Sequence, residues 1–229
     1  MIEPRLIYAS LFLSAFLIIF SIYRFNKLSN YKNWWSLCIL PVFFVTGLAV
    51  YSLFLPAGIV IHLLFIINLL FTFYYLRNVY FYLIEPGKNT EQIQNFSSYG
   101  NFLVIFFISS SLFGFQAFLN ISMWLLLFLF AVTVFSVLYE VMVTNEINLN
   151  KGGIYIFIFG LIFIEIVIGL YFLPLNHNIL GLIMAICYYV LIGLLKFHLK
   201  QKLNKQAVKT YLIFGSVGIL LILLTAHWR

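Results

Sequence analysis

One carboxylic acid lies deep inside a long apolar stretch of the sequence. Glu165 is the one charged residue of the segment Gly153–Leu173, which is otherwise dominated by Ile, Phe, Leu, Val and Gly. A helix rises about 1.5 Å per residue, so this segment is long enough to cross a ~30 Å hydrocarbon layer with Glu165 well inside it. An acid at that depth is costly unless it is protonated, paired or next to water. Glu165 is therefore the first candidate for a substrate or proton site.

Four further polar side chains are candidates for the same site, because polar side chains in membrane helices usually face the bundle. We expect Glu165 to face an internal cavity together with Gly169, which falls on the same helix face. The alternatives are a buried acid that only makes hydrogen bonds and an acid that acts in catalysis. The residues proposed to accompany Glu165 in binding a substrate or proton are His62, Asn68, Gln116 and Asn120.

A second acid, Glu140, is expected about one turn inside the opposite membrane surface. It continues a polar stripe at helical spacing with Thr133, Ser136 and Thr144. Lys196 is expected at a similar depth, so the two residues form a candidate charged pair, which we interpret as structural.

Known catalytic and metal-binding patterns are absent from the sequence. It contains no His-Glu-x-x-His helix, no Gly-x-Ser-x-Gly turn and no glycine-rich phosphate loop. The histidines are scattered, and only three of them are expected at similar depth; the four are His62, His177, His198 and His227. We therefore predict neither a metal nor a cofactor, and no catalytic residue can be named.

The elements that position these residues follow from composition. The chain is 64% hydrophobic and 8% charged, whereas soluble domains are about 25% charged, so a water-soluble core is excluded. We predict an all-α, polytopic membrane helix bundle that forms a single domain over residues 1–229. Its eight predicted spans are approximately Leu6–Tyr23, Trp34–Leu55, Ile59–Leu76, Tyr99–Leu119, Ser122–Val143, Gly153–Leu173, Ile179–Lys196 and Ala207–Ala226.

The basic residues predict the orientation of the bundle. With eight spans, 11 of the 13 Lys and Arg residues fall on one side, and only Arg5 and Arg229 fall on the other. The positive-inside rule then places both termini outside. Because the +7 net charge is spread over short loops, nucleic acid is not an expected partner. We expect anionic lipid headgroups to contact the lysines of the last inner loop, which are Lys200, Lys202, Lys205 and Lys209.

Turn residues predict the breaks between spans. Pro56 with Gly58 separates the second span from the third, and Asn120 separates the fourth from the fifth. The inner loop 78–98 contains a predicted turn at Pro86–Gly87, followed by a cap at Asn89–Glu91 for a short interfacial helix. The shared strings Phe54–Pro56 and Phe172–Pro174 suggest a weak 4+4 internal repeat.

Three functional classes fit this sequence. The leading prediction is a small carrier or accessory membrane subunit with an internal polar site around Glu165. The alternatives are an integral-membrane enzyme that acts on a lipid or isoprenoid substrate and a structural subunit of a homo-oligomer or larger membrane complex. The abundance of Ile, Phe, Lys and Asn is typical of an AT-rich bacterial genome, so a bacterial inner membrane is the expected location.

Overall fold

A computed structural model describes residues 4–29, 31–56, 58–84, 90–147 and 149–226. These residues form eight α-helices, which confirms the all-α prediction. Several predicted features lie outside the described part: the turn at Pro86–Gly87, Lys88, His227, Arg229 and the side chains of Arg5 and Lys151. The helices are α1 (Pro4–Ser29), α2 (Trp34–Ser52), α3 (Ile59–Ile84), α4 (Thr90–Leu119), α5 (Met123–Thr144), α6 (Leu149–Tyr171), α7 (His177–Leu199) and α8 (Lys205–Thr225).

The helices are compatible with a membrane. Within the described residues, seven are long and apolar enough to cross a bilayer, namely α2 to α8. The first predicted span, Leu6–Tyr23, is not among these seven and stays a prediction. The location of both termini outside and the 4+4 repeat also stay predictions.

The two tight breaks occur where the turn residues predicted them. Gly58 has a φ of +153°, a conformation that L side chains rarely adopt, and it lies between the end of α2 and the start of α3. Asn120 has a φ of +50° directly after α4, and its backbone N–H donates to the carbonyl of Gln116 at 3.1 Å. A left-handed asparagine is a common way to end a helix.

The predicted loop at 78–98 is wrong over most of its length. α3 continues to Ile84, and α4 begins at Thr90 and runs without interruption through Leu119, so the described residues of this stretch contain no separate interfacial helix. The reason is packing, because the first two turns of α4 already bury Ile93 and Ser97 inside the bundle. No proline or glycine lies between Thr90 and Gly100, so nothing in the sequence interrupts the first turns of α4.

α4 is the central helix, with contacts to α2, α3, α5 and α7, the most extensive being with α7. Where α4 and α7 pack together, Gly181 lies against the backbone of Ser110. A Cβ atom built on Gly181 would be 2.8 Å from the Ser110 nitrogen and 2.9 Å from its Cα. Only glycine therefore permits this contact between the two helices.

We expect Gly181→Ala to destabilise the bundle by about 1–3 kcal/mol, the usual cost of overpacking a tight core. The measurement is unfolding of the purified protein in detergent micelles. Gly153→Ala is the matched control, because a Cβ at Gly153 meets nothing within 4 Å. Equal stability of the two variants would contradict the assigned contact.

Candidate functional site

The carboxyl group of Glu140 is fully buried near the C-terminal end of α5. The Asn101 side-chain amide of α4 donates a hydrogen bond to one carboxyl oxygen at 2.6 Å. The Thr144 hydroxyl, one turn further along α5, donates to the other oxygen at 2.9 Å. Both carboxyl oxygens therefore have a hydrogen-bond donor inside the bundle.

The surroundings of Glu140 contain more polar groups than these two bonds use. Ser97, one turn before Asn101, lies beside the same carboxyl group, yet its hydroxyl has no partner in good hydrogen-bond geometry. The side-chain oxygen of Asn101 and the Tyr188 hydroxyl are also buried without a hydrogen-bond partner. Buried polar groups of this kind are usually satisfied, so the cluster has capacity for further hydrogen bonds.

Two buried tyrosines close the cluster from other helices. Tyr75 of α3 and Tyr188 of α7 are nearly completely buried, and both interact electrostatically with Glu140. The Tyr75 hydroxyl donates to the carbonyl of Leu37 in α2 at 2.7 Å. Side chains of α3, α4, α5 and α7 therefore meet around one carboxyl group.

Lys196 of α7 provides positive charge beside this cluster. Its charge attracts that of Glu140, but its ammonium group donates its hydrogen bond to the Ser98 hydroxyl, at 2.6 Å. The predicted charged pair thus consists of two neighbouring charges, each of which makes hydrogen bonds to neutral side chains.

Further hydrogen bonds link the backbone of Thr144 to side chains at the surface. The Gln94 side-chain amide donates to the carbonyl of Thr144 at 3.2 Å, and Lys200 donates to the Gln94 side-chain oxygen at 3.1 Å. Lys200 also donates to the Asn145 side-chain oxygen at 3.1 Å. Burial and the adjacent Lys202 ammonium lower the pKa of Lys200, whereas Glu146 and Glu91 act in the opposite direction.

Gln94, Asn145 and Lys200 line a cleft of about 380 Å³ between the start of α4, the end of α7 and the start of α8. We call it the lysine cleft. Three lysines and three tyrosines lie around it together with neutral polar side chains, so it combines positive charge, hydrogen-bond donors and aromatic surface. Its lining residues are Gln94, Asn95, Ser98, Tyr99, Asn145, Tyr189, Lys196, Phe197, Lys200, Lys202 and Tyr211.

The lysines predicted to contact lipid headgroups fall into two groups. Lys200 and Lys202 line the lysine cleft. Lys205 and Lys209 are exposed on the first turns of α8 and do not line it.

The structure does not assemble the site predicted around Glu165. The Glu165 side chain is exposed on the outer face of α6, so the expectation that it faces an internal cavity is wrong for this chain. The opposite face of α6 packs inward through Phe163 and Val167. Both faces are strongly apolar, so helix–helix packing rather than the single acid decides which of them is buried.

The residues proposed to accompany Glu165 are also not brought to it. His62 and Asn68 belong to α3, which packs against α1, α2 and α4, whereas α6 packs against α5 and α7. His62 is exposed and Asn68 is half-buried. A binding role for any of these residues stays a prediction.

The remaining two candidates lie at the end of α4. Gln116 is half-buried, and its backbone carbonyl accepts the hydrogen bond from Asn120 that ends the helix. Asn120 itself is exposed. Its left-handed conformation gives this asparagine a structural role in helix termination.

Replacing Glu140 by leucine should destabilise the protein by about 1–3 kcal/mol, because the Asn101 amide and the Thr144 hydroxyl lose their acceptor. Unfolding in detergent micelles measures the loss. Glu140→Gln is the control, since its carbonyl oxygen still accepts one of the two bonds and the loss should be smaller. A leucine variant as stable as the wild type would show that the polar cluster does not stabilise the fold.

Comparison with known proteins relates the chain to a protein family. Residues 6–225 match the family described as "Protein of unknown function (DUF5656)", while no curated protein and no solved structure matches the chain. The matched range ends at the last residue of α8 and includes nearly all of α1. The family therefore corresponds to the whole helical bundle, and this chain belongs to the DUF5656 family.

Proposed function

We propose that this multi-pass membrane protein binds a phosphate-bearing amphiphile, a lipid or an isoprenoid, with the anionic headgroup in the lysine cleft. The observation that carries the proposal is the convergence of Lys196, Lys200 and Lys202 on one cleft at the end of the bundle. Ammonium groups are common ligands of phosphate oxygens. The function is that of a lipid-binding carrier or accessory subunit in the inner membrane of a bacterium.

The neutral side chains of the cleft support the binding of an anion by its lysines. Gln94, Ser98 and Asn145 place neutral hydrogen-bonding groups next to the lysines. Lys196 and Lys200 are already held in position by these side chains, so less side-chain entropy is lost when an anion binds.

The aromatic side chains support an amphiphile more than a free anion. The Tyr189 ring lies between Phe102 of α4 and Phe214 of α8, with ring centroids 6.3 and 5.7 Å away. Phe102 and Phe214 lie about one turn deeper in their helices than Tyr99 and Tyr211, which line the cleft. The cleft thus continues along an apolar, aromatic surface on which an acyl or isoprenoid chain can lie.

The position of the polar groups favours this function over a carrier built around Glu165. An enclosed carrier site needs Glu165 inside the bundle, and the side chain is exposed. An enzyme that acts on the same amphiphile is the second candidate, and Glu140 favours it. Its carboxyl group bonds to the Thr144 hydroxyl, and the backbone carbonyl of the same residue accepts from Gln94, a lining residue of the cleft.

Binding of dihexanoyl phosphatidic acid to the purified protein in a neutral detergent tests the proposal. The double variant Lys200→Gln/Lys202→Gln should weaken binding by about tenfold or more, because each lysine near an anionic headgroup contributes about 1 kcal/mol. Isothermal titration calorimetry measures the dissociation constant of each variant.

The matched control is Lys205→Gln/Lys209→Gln, which removes the same charge from α8 outside the cleft. It should bind like the wild type. Equal weakening by the two double variants would contradict the proposal, because binding would then follow net charge. Equally tight binding of dihexanoyl phosphatidylcholine or of inorganic phosphate would also contradict it, since the first lacks net charge and the second lacks a chain.

A further inference from the structure

Among the described residues, none makes a hydrogen bond or an ion pair with the Glu165 carboxyl group. This side chain is exposed, and the exposed residues around it are apolar, including Ile158 and Leu161 on α6 and Phe172 directly after the helix. Glu165 lies six residues before the end of α6, so it is about 9 Å from that end, within the hydrocarbon layer of a membrane. A carboxyl group in contact with lipid at this depth is strongly disfavoured, which requires that something else cover it.

Gly169 allows another helix to approach this face of α6 closely. It lies one turn from Glu165 on the same exposed face, and a Cβ built on it meets nothing within 4 Å. Small residues at such positions allow two membrane helices to bring their backbones together. The acid and the glycine therefore share the part of α6 where another helix can come closest.

We infer that the face of α6 around Leu161, Glu165 and Gly169 is the interface with a second copy of this chain. In a two-fold symmetric dimer the same residues meet, so the two Glu165 side chains are at the same depth by symmetry. A protonated carboxyl group has one donor and also accepts, so two of them can form reciprocal hydrogen bonds. The acid thereby complements itself, and neither carboxyl group faces lipid.

His62 is another exposed polar side chain among the described residues of this half of the bundle, and it fits Glu165 less well. His62 lies three residues after the start of α3, about 4.5 Å from that helix end. Measured from the helix ends, it is about 4.5 Å shallower than Glu165. A head-to-tail contact between α3 of one copy and α6 of the next would therefore bring groups of unequal depth together, whereas the symmetric contact does not.

The first experiment counts subunits of a fluorescently tagged full-length protein in lipid vesicles by stepwise photobleaching. We expect mainly two-step traces for the wild type and for Glu165→Gln, because an amide also donates and accepts. Glu165→Leu and Gly169→Leu should lower the association constant by about tenfold. Gly153→Leu is the control, since Gly153 is exposed at the other end of α6, and it should leave dimerisation unchanged.

Because Glu165 and Gly169 have few contacts within the chain, these variants should fold, which circular dichroism and thermal unfolding check. A monomeric wild type, or a leucine variant at Glu165 that dimerises as strongly as the wild type, would overturn the inference. Loss of pairing in His62→Leu as large as in Glu165→Leu would also overturn it, in favour of the head-to-tail contact.

A second experiment locates the interface. With Cys38 and Cys187 replaced by alanine, Leu161→Cys should form a disulfide between two copies in oxidised membranes, and Gly153→Cys should not. Two-step photobleaching without this cross-link would show that the copies meet through another face and would overturn the inference.

Discussion

The carboxyl group of Glu140 has to be satisfied in a place that water does not reach. A buried carboxylate is unfavourable unless hydrogen bonds and a nearby opposite charge compensate for its lost hydration. Asn101 and Thr144 provide the bonds and Lys196 provides the charge. Because Asn101 and Glu140 are on different helices, the bond between them sets both the rotation and the level of α4 against α5. A shift of one turn, about 5.4 Å, would break this bond and leave only Thr144, on the same helix as Glu140, to donate to the carboxyl group.

The same positioning of α4 creates the lysine cleft. α4 packs against α7 so closely that Gly181 lies directly on the Ser110 backbone. With the helices at this distance, the first turns of α4 bring Gln94 and Ser98 to the end of α7, where they hold Lys196 and Lys200. The buried acid and the surface lysines are therefore parts of one polar network rather than two independent sites. The network gives the cleft a fixed arrangement of ammonium groups before any ligand binds.

Apolar length and turn chemistry were sufficient to predict most of the helices. The helix breaks at Pro56, Gly58 and Asn120 could be predicted, because the backbone preferences of these residues are local and do not depend on neighbouring helices. The functional residues were harder to predict. The sequence shows how far along a helix a residue lies, but it does not show which side of the helix faces the bundle when every side is apolar. Glu165 and Glu140 are both acids in apolar helices, and only the packing of α5 and α6 shows that Glu140 is the internal one. The importance of Asn101 was missed for the same reason, since its partner lies on another helix.

The two acids illustrate two ways in which a helix bundle can accommodate a carboxyl group in a membrane. Glu140 is satisfied within the chain, by donors on α4 and α5, and it belongs to the end of the bundle that carries the lysine cleft. Glu165 finds no comparable donor on α5 or α7, the helices that α6 packs against, so a group outside this fold has to provide it. α6 touches both regions. Its exposed face carries Glu165, and on its other side Gly160 packs against the ring of Phe135, five residues before Glu140 on α5. α6 therefore carries the exposed acid on one side and on the other packs against α5, the helix that holds the buried carboxyl group.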